Sequence, residues 1–234
     1  MARPPRLELP GVPLHVVQRG NNRAACFYGD VDRRFYLKCL AQSASARGCA
    51  VHAYVLMTNH VHLLVTPREA GAVGAMMQDI GRRYVRVTNT IHGRSGSLWE
   101  GRFKASLIDS ENYLLTCHRY IEDNPVRARM VQHVAAYAWS SHPHYTGSRT
   151  NSLISPYPQY RSLGATEVER RANFQALFAV PLEQRLLQQI RTAINTDSAL
   201  GSERFMQQAE AQLGRSVRPP QRGRPRKDVT EKLL

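Results

Sequence analysis

Acidic residues are scarce in this chain: 18 Asp and Glu stand against 32 Lys and Arg, a formal net charge of +14 and a pI near 10.2. That imbalance argues against a basic partner and puts an acidic polymer, nucleic acid first, at the head of the candidates. Cysteine is sparse too. Cys26, Cys39, Cys49 and Cys117 stand singly, with no C-x-x-C pair to hold zinc and no dense disulfide framework. They read as reduced cytosolic thiols packed as small apolar residues. No apolar run is long enough to span a bilayer, and Met1-Ala2-Arg3-Pro4-Pro5-Arg6 leads into Leu7-Glu8-Leu9-Pro10 rather than an apolar signal core. Neither a membrane partner nor a secretory signal is expected, and the expected location is cytoplasmic. Internal repeats are lacking as well.

What is present fits a globular protein: 234 residues with an apolar fraction of 42%, room for one large or two small domains. Residues Val12 to Arg19 alternate as a strand and are broken by Gly20-Asn21-Asn22. Apolar positions Val31, Phe35, Leu37, Leu40 and Ala44 predict a helix from Asp30 to Arg47, with Asp30 as its cap. Cys49 to Met57 and His60 to Thr66 predict a hairpin of buried strands around Thr58-Asn59. A helix from Val73 to Thr90 follows, burying Met76, Met77, Ile80, Tyr84 and Val87, then a strand from Phe103 to Ile108. The last core element is a helix from Glu111 to Asp123, opened by Asp109-Ser110-Glu111 and stopped by Pro125. This order predicts an α+β fold: a ferredoxin-like split βαβ core over residues 10–132, with helices added at the C-terminal side.

The expected organisation is a core domain at 1–139, a connector with a small helical appendage at 140–214, and a tail at 215–234. Residues 140–165 are rich in Ser, Pro, Gly, Tyr and His, and read as loop. Phe174 to Phe178, Leu182 to Ile194 and the Phe205, Ala209, Leu213 series read as helical. The tail carries seven basic residues against two acidic ones and is expected to be unpacked. Within it, Arg222-Gly223-Arg224-Pro225 is similar to an AT-hook core, though a generic electrostatic role for Arg222, Arg224, Arg226 and Lys227 is the simpler reading.

Three features carry chemistry. His60 and His62 are two apart in a predicted strand, so both imidazoles share one face of the sheet and can chelate one divalent ion; a pair of hydrogen-bonded structural histidines is the alternative. Tyr120 and Asn124 are four apart near a helix end and lie on one face, where a phenol and an amide oxygen can converge; packed tyrosine and helix stop are the ordinary readings. Arg82, Arg83, Arg86, Arg94, Arg102 and Lys104 form the nearest basic stretch and suit a groove that tracks a DNA backbone, or else a solvated helix face.

The spaced segments His60-Val61-His62-Leu63-Leu64-Val65, Leu98-Trp99-Glu100-Gly101-Arg102-Phe103-Lys104, Tyr113-Leu114-Leu115 and Arg119 to Ala128 together resemble the REP-associated tyrosine transposases. These belong to the single-tyrosine HUH superfamily, in the IS200-type group. Thr58 and Asp123 depart from the family pattern without removing a reacting group, and the N-terminal Gly-Thr-x-Tyr element of some members is not evident. The resemblance implies the HUH endonuclease fold, His60, His62 and Asn124 as ligands of Mg²⁺ or Mn²⁺, and Tyr120 as nucleophile. It also implies single-stranded DNA, near REP-type palindromic hairpins, as substrate, cut through a covalent 5′-phosphotyrosine; such a partner would place the protein at the nucleoid. Tyr113, seven residues earlier and roughly on the same helix face, is the rival nucleophile. A non-catalytic DNA-binding regulator and a metal nuclease using activated water are the rival functions, and monomer and homodimer are equally open.

Overall fold

In the computed structural model, which describes residues 6–220, a four-stranded antiparallel sheet of order β2-β3-β1-β4 forms the centre. Its strands are β1 (Leu14–Arg19), β2 (Cys49–Leu56), β3 (His60–Pro67) and β4 (Lys104–Leu107). β1 and β2 flank β3, which is antiparallel to both, and β4 closes the far side of β1. This is the split βαβ arrangement the element order predicts. Strand alternation gives the sheet two distinct faces. Leu14, Val16, Val61, Leu63, Val65, Ala105 and Leu107 fall on one, while His15, Val17, His62, Leu64 and Ser106 fall on the other.

Helices α1 (Asp30–Ala46) and α2 (Ala72–Ile91) pack on each other and on β2. Asp30 does not cap α1. Gly29 holds the cap position, and the Asp32 carboxylate accepts from the backbone N–H groups of Tyr28 and Gly29 at 2.7 and 3.1 Å. The buried stripe shifts with it: Tyr36, Cys39, Leu40 and Ala44 are buried, whereas Val31 is 62% exposed. In α2 the predicted Met76, Met77, Ile80 and Tyr84 are buried, Val87 is half-buried, and Arg82, Arg83 and Arg86 are exposed.

Helix α3 (Leu114–Glu122) packs on β2 and β3. It starts later than Asp109-Ser110-Glu111 suggests, because the Asp109 carboxylate is engaged elsewhere. It accepts from Glu111 N–H, the Asn112 amide, and both the N–H and hydroxyl of Ser202. The end of α3 is as expected ahead of Pro125, with Glu122 the last residue and Asp123 the C-cap, but helical structure resumes at once. Pro125 lies in the first turn of a short α4 (Asn124–Arg127), where its missing N–H is not needed, and Arg127 N–H still donates to the Asp123 carbonyl at 3.0 Å.

The segment read as connector and appendage contains α5 (His142–Tyr145), α6 (Pro158–Arg161), α7 (Glu167–Ala176), α8 (Gln184–Asn195) and α9 (Glu203–Leu213). It closes both edges of the sheet. Backbone bonds from Leu56 to Trp139, Ser141 to Tyr54 and Ser155 to Val51 run along β2, while Leu200 exchanges bonds with Leu107 and Asp109 beside β4. These bonds occupy part of the ladder that each edge strand would otherwise expose. Tyr145, Tyr157, Tyr160 and Phe174 form a second buried aromatic group around His118. Residues 140–165 are loop-rich as expected, with only the four-residue α5 and α6, yet tyrosines bury the segment against the sheet. Helix α7 begins at Glu167, earlier than Phe174, through a capping box between Thr166 and Glu169. Part of the expected tail is packed as well: Val217 is fully buried and Arg218 pairs with Glu203 and Glu210. Arg222, Arg224, Arg226 and Lys227 lie outside the described residues.

Candidate active site

Strand β3 presents His60 and His62 to the sheet face that α3 covers, and α3 lays Tyr120 across them. The Tyr120 ring centroid is 6.0 Å from that of His62 and 5.7 Å from that of His15, and the His60 and His62 centroids are 5.0 Å apart. One turn on, the Asn124 amide nitrogen donates to the carbonyls of Tyr120 and Ile121 at 2.9 and 3.1 Å. Its carbonyl oxygen is left as the free end. His60, His62, Tyr120 and Asn124 all line one cleft of about 870 Å³. Tyr113 does not line it; it stands at the N-cap of α3.

Burial, aided by neighbouring cations, keeps the histidines neutral. The His15 pKa is lowered to about 3 by burial and then Arg127, and that of His60 to about 4 by burial and then Arg19. His62 is held well below the ordinary imidazole value by burial, His15, His60 and nearby arginines. Neutral imidazoles have the lone pairs that metal ligation needs. Among the described residues no group of three or more His, Cys, Asp or Glu side chains forms a candidate metal site. Two imidazoles and the Asn124 amide line the same cleft; as a donor set these would suit a divalent ion with open positions for water or phosphate, nitrogen donors favouring Mn²⁺ over Mg²⁺.

The cleft is cationic. Arg102 and Lys104, both expected near DNA, line it, and Arg6, Arg19, Arg23, Arg127 and Arg191 join them against only Glu100 and Asp197. Arg82, Arg83, Arg86 and Arg94 are not among the lining residues. Arg82 and Arg83 border a shallow depression of about 200 Å³ with Asp79 and Gln42, and the Arg94 guanidinium lies 5.6 Å from the Tyr28 ring centroid.

Arg127 went unassigned in the sequence. Its guanidinium carbon is 4.1 Å from the Tyr120 ring centroid, anchored by donation to the Tyr120 carbonyl at 3.0 Å and to Asp123 at 3.2 Å. Its seven-residue spacing from Tyr120, two helical turns, was the available signal. Arg191, Ile194 and Asn195 reach the cleft from α8, which packs on β4 and β1; only tertiary structure brings them there.

Comparison with curated proteins finds no match. Among solved structures, the chain is similar to a REP-associated tyrosine transposase bound to a REP hairpin, at 17% identity and TM-score 0.53, covering 67% of this chain and 92% of that one. A second, described as a candidate transposase from Deinococcus radiodurans R1, is 22% identical over 52% of this chain and 97% of its own, at TM-score 0.37. The first likeness supports the fold: the mixed α+β sheet with its helices is similar to that of the REP transposase structure. The family described as "Transposase IS200 like" matches residues 9–124, a span that runs from before β1 to Asn124 and so takes in both histidines and Tyr120. Through residues 9–124, about half of the chain, the protein is similar to the IS200-like transposase family.

Proposed function

We propose that this protein is a metal-dependent, single-strand DNA endonuclease and strand transferase that uses Tyr120 as a covalent nucleophile at or near REP-type palindromic hairpins. The observation that carries this reading is the convergence of His60, His62, Tyr120 and Asn124 on one cationic cleft. Hairpin DNA as ligand draws support from the structural relative, which is bound to a REP hairpin. Among the described residues no helix is long and apolar enough to cross a membrane, and a DNA substrate assigns the protein to the cytoplasm and nucleoid.

In this mechanism the Tyr120 hydroxyl oxygen attacks a backbone phosphorus, the P–O3′ bond breaks, and a 5′-phosphotyrosine forms. The phenol gives up its proton and the departing 3′-oxygen takes one up, leaving a free 3′-hydroxyl. The phosphodiester energy is conserved in the ester, so a later 3′-hydroxyl can reverse the step without a nucleotide cofactor. His60, His62 and Asn124 would hold Mg²⁺ or Mn²⁺, which supplies polarisation of the scissile phosphate and neutralises its developing charge. Arg127, fixed above the Tyr120 ring, supplies positive charge where the phosphate must sit. Arg102 and Lys104 hold the strand's neighbouring phosphates along the cleft.

The test is incubation with single-stranded hairpins from the protein's own genomic neighbourhood, and with the corresponding duplexes, in Mg²⁺, Mn²⁺ or chelator. A DNA-linked protein band on a denaturing gel, formed with hairpins and lost in chelator, is the expected result. Cleavage without any linked band selects activated water as nucleophile, and binding without cleavage selects a non-catalytic regulator.

A further inference from the structure

His60 and His62 are both engaged through Nδ1, and neither Nε2 has a hydrogen-bond partner among the described residues. Nδ1 of His60 lies 2.6 Å from Oδ1 of Asn59, and Nδ1 of His62 lies 2.7 Å from Nε2 of His15. Asn59 is itself oriented. Its Nδ2 donates to the Arg23 carbonyl at 2.9 Å, and since a carbonyl only accepts, the amide cannot be turned the other way. Oδ1 therefore faces His60 as an acceptor, the His60 proton sits on Nδ1, and the Nε2 lone pair is free.

The Arg23 carbonyl is fixed by an unusual turn. Asn22 and Arg23 have φ of 51° and 58°, in the left-handed region, and Arg23 N–H donates to Gly20. Gly20 N–H in turn donates to the Asn59 carbonyl at 2.8 Å, and a Cβ at Gly20 would meet the Ala24 carbonyl oxygen at 2.2 Å. Gly20-Asn21-Asn22-Arg23 is thus a backbone buttress behind Asn59.

His15 is fully buried on β1, with a second ring nitrogen, Nδ1, that has no hydrogen-bond partner among the described residues. Two proton arrangements satisfy its bond to His62. When His15 donates from Nε2, the His62 proton is on Nε2 and blocks ligation; when His62 donates from Nδ1, its Nε2 lone pair is free. Only the second is compatible with a cation between His60 and His62.

We propose that Asn59 and His15 are positioning residues, one for each histidine: Asn59 fixes the Nδ1–H tautomer of His60, and His15 accepts from the Nδ1–H form of His62 that binding requires, so that both Nε2 lone pairs are presented to one divalent cation. The proposal rests on the metal-binding reading of His60 and His62. A ligand histidine whose second nitrogen loses its partner typically costs 10–100-fold in metal affinity.

The experiment titrates Mn²⁺ alone into the metal-free full chain by calorimetry, for wild type, Asn59→Ala, Asn59→Asp and His15→Phe, alongside ¹⁵N spectra of the histidine rings. Asn59→Ala and His15→Phe should weaken Mn²⁺ binding 10–100-fold, and Asn59→Asp, which keeps an acceptor for His60, should recover most of it. In the metal-free wild type the His60 ring should be protonated at Nδ1, and in Asn59→Ala it should shift toward the Nε2–H form. Wild-type affinity in both Asn59→Ala and His15→Phe, or a His60 proton on Nε2 in the wild type, overturns the proposal; the ring spectrum of the wild type stands even where a variant does not fold. Absence of Mn²⁺ binding by the wild type, with the His60 proton on Nδ1, instead overturns the metal reading on which the proposal rests.

Discussion

Glu122 is fully buried two residues beyond Tyr120, and its replacement by glutamine probes what holds α3 in place. The carboxylate accepts from Ser141 Oγ at 2.5 Å, and His118 Nε2 and His142 Nδ1 lie 2.8 and 2.9 Å from it. These contacts tie α3 to α5 and to Tyr157, whose hydroxyl is 2.6 Å from His118. Burial alone would raise the Glu122 pKa. The His118 charge and the hydrogen bonds from both histidines outweigh it and hold the carboxyl at about 2, against an ordinary 4.5. That difference, at ~1.4 kcal/mol per pKa unit, amounts to about 3 kcal/mol of stability. Because the folded pKa is depressed, the contribution is complete above about pH 4.5 and is lost as the pH falls toward 2. On a chain of this size it corresponds to roughly 6–12 °C in melting temperature. Thermal unfolding followed by circular dichroism should therefore separate wild type from Glu122→Gln by that margin at pH 7, with the gap closing between about pH 4.5 and 2. Equal melting temperatures at pH 7, or a gap that persists unchanged into acid, would refute the reasoning.

His60→Ala and His62→Ala should each abolish metal-stimulated cleavage in Mg²⁺ and in Mn²⁺; undiminished cleavage by the double variant in chelator contradicts the ligand assignment. Arg127→Ala should slow formation of the DNA-linked species about 100-fold, the scale for removing one preorganised charge donor, while Arg127→Lys should restore only part of it because an ammonium lacks the guanidinium fork. A single-turnover assay with a rate equal to wild type argues against that role. Truncation after residue 220 should weaken hairpin binding and reduce the slope of log affinity against log salt by roughly 0.7 per lost phosphate contact, with an unchanged cut site. An unchanged slope, or a shifted cut site, places the tail in a different role.

The sheet and its two faces, one apolar and one bearing the histidines, were legible because they depend on local patterns. The period-two alternation at His60 to Val65 fixes which side chains share a face, and the Asn124 spacing from Tyr120 fixes the second pair. Helix starts were misread where the capping group was not the residue expected: Asp109 is shared with Ser202, and at α1 the carboxylate that caps is Asp32, not Asp30. The cationic wall of the cleft was half visible. Arg102 and Lys104 lie beside a recognisable motif, but Arg6, Arg19 and Arg191 reach the cleft from elements distant in sequence. The helical periods at 174–178, 182–194 and 205–213 were readable, but not where those helices dock, and the packing of residues 140–165 along β2 rests on tyrosines and backbone bonds that leave no period to read.

The most direct test of the central claim is to isolate the protein–DNA species formed with a single-stranded hairpin, digest it, and locate the nucleotide-bearing residue by mass spectrometry. The account predicts a 5′-phosphate ester on Tyr120, absent in Tyr120→Phe and retained in Tyr113→Phe. A linkage at Tyr113, or full adduct formation by Tyr120→Phe, would contradict it.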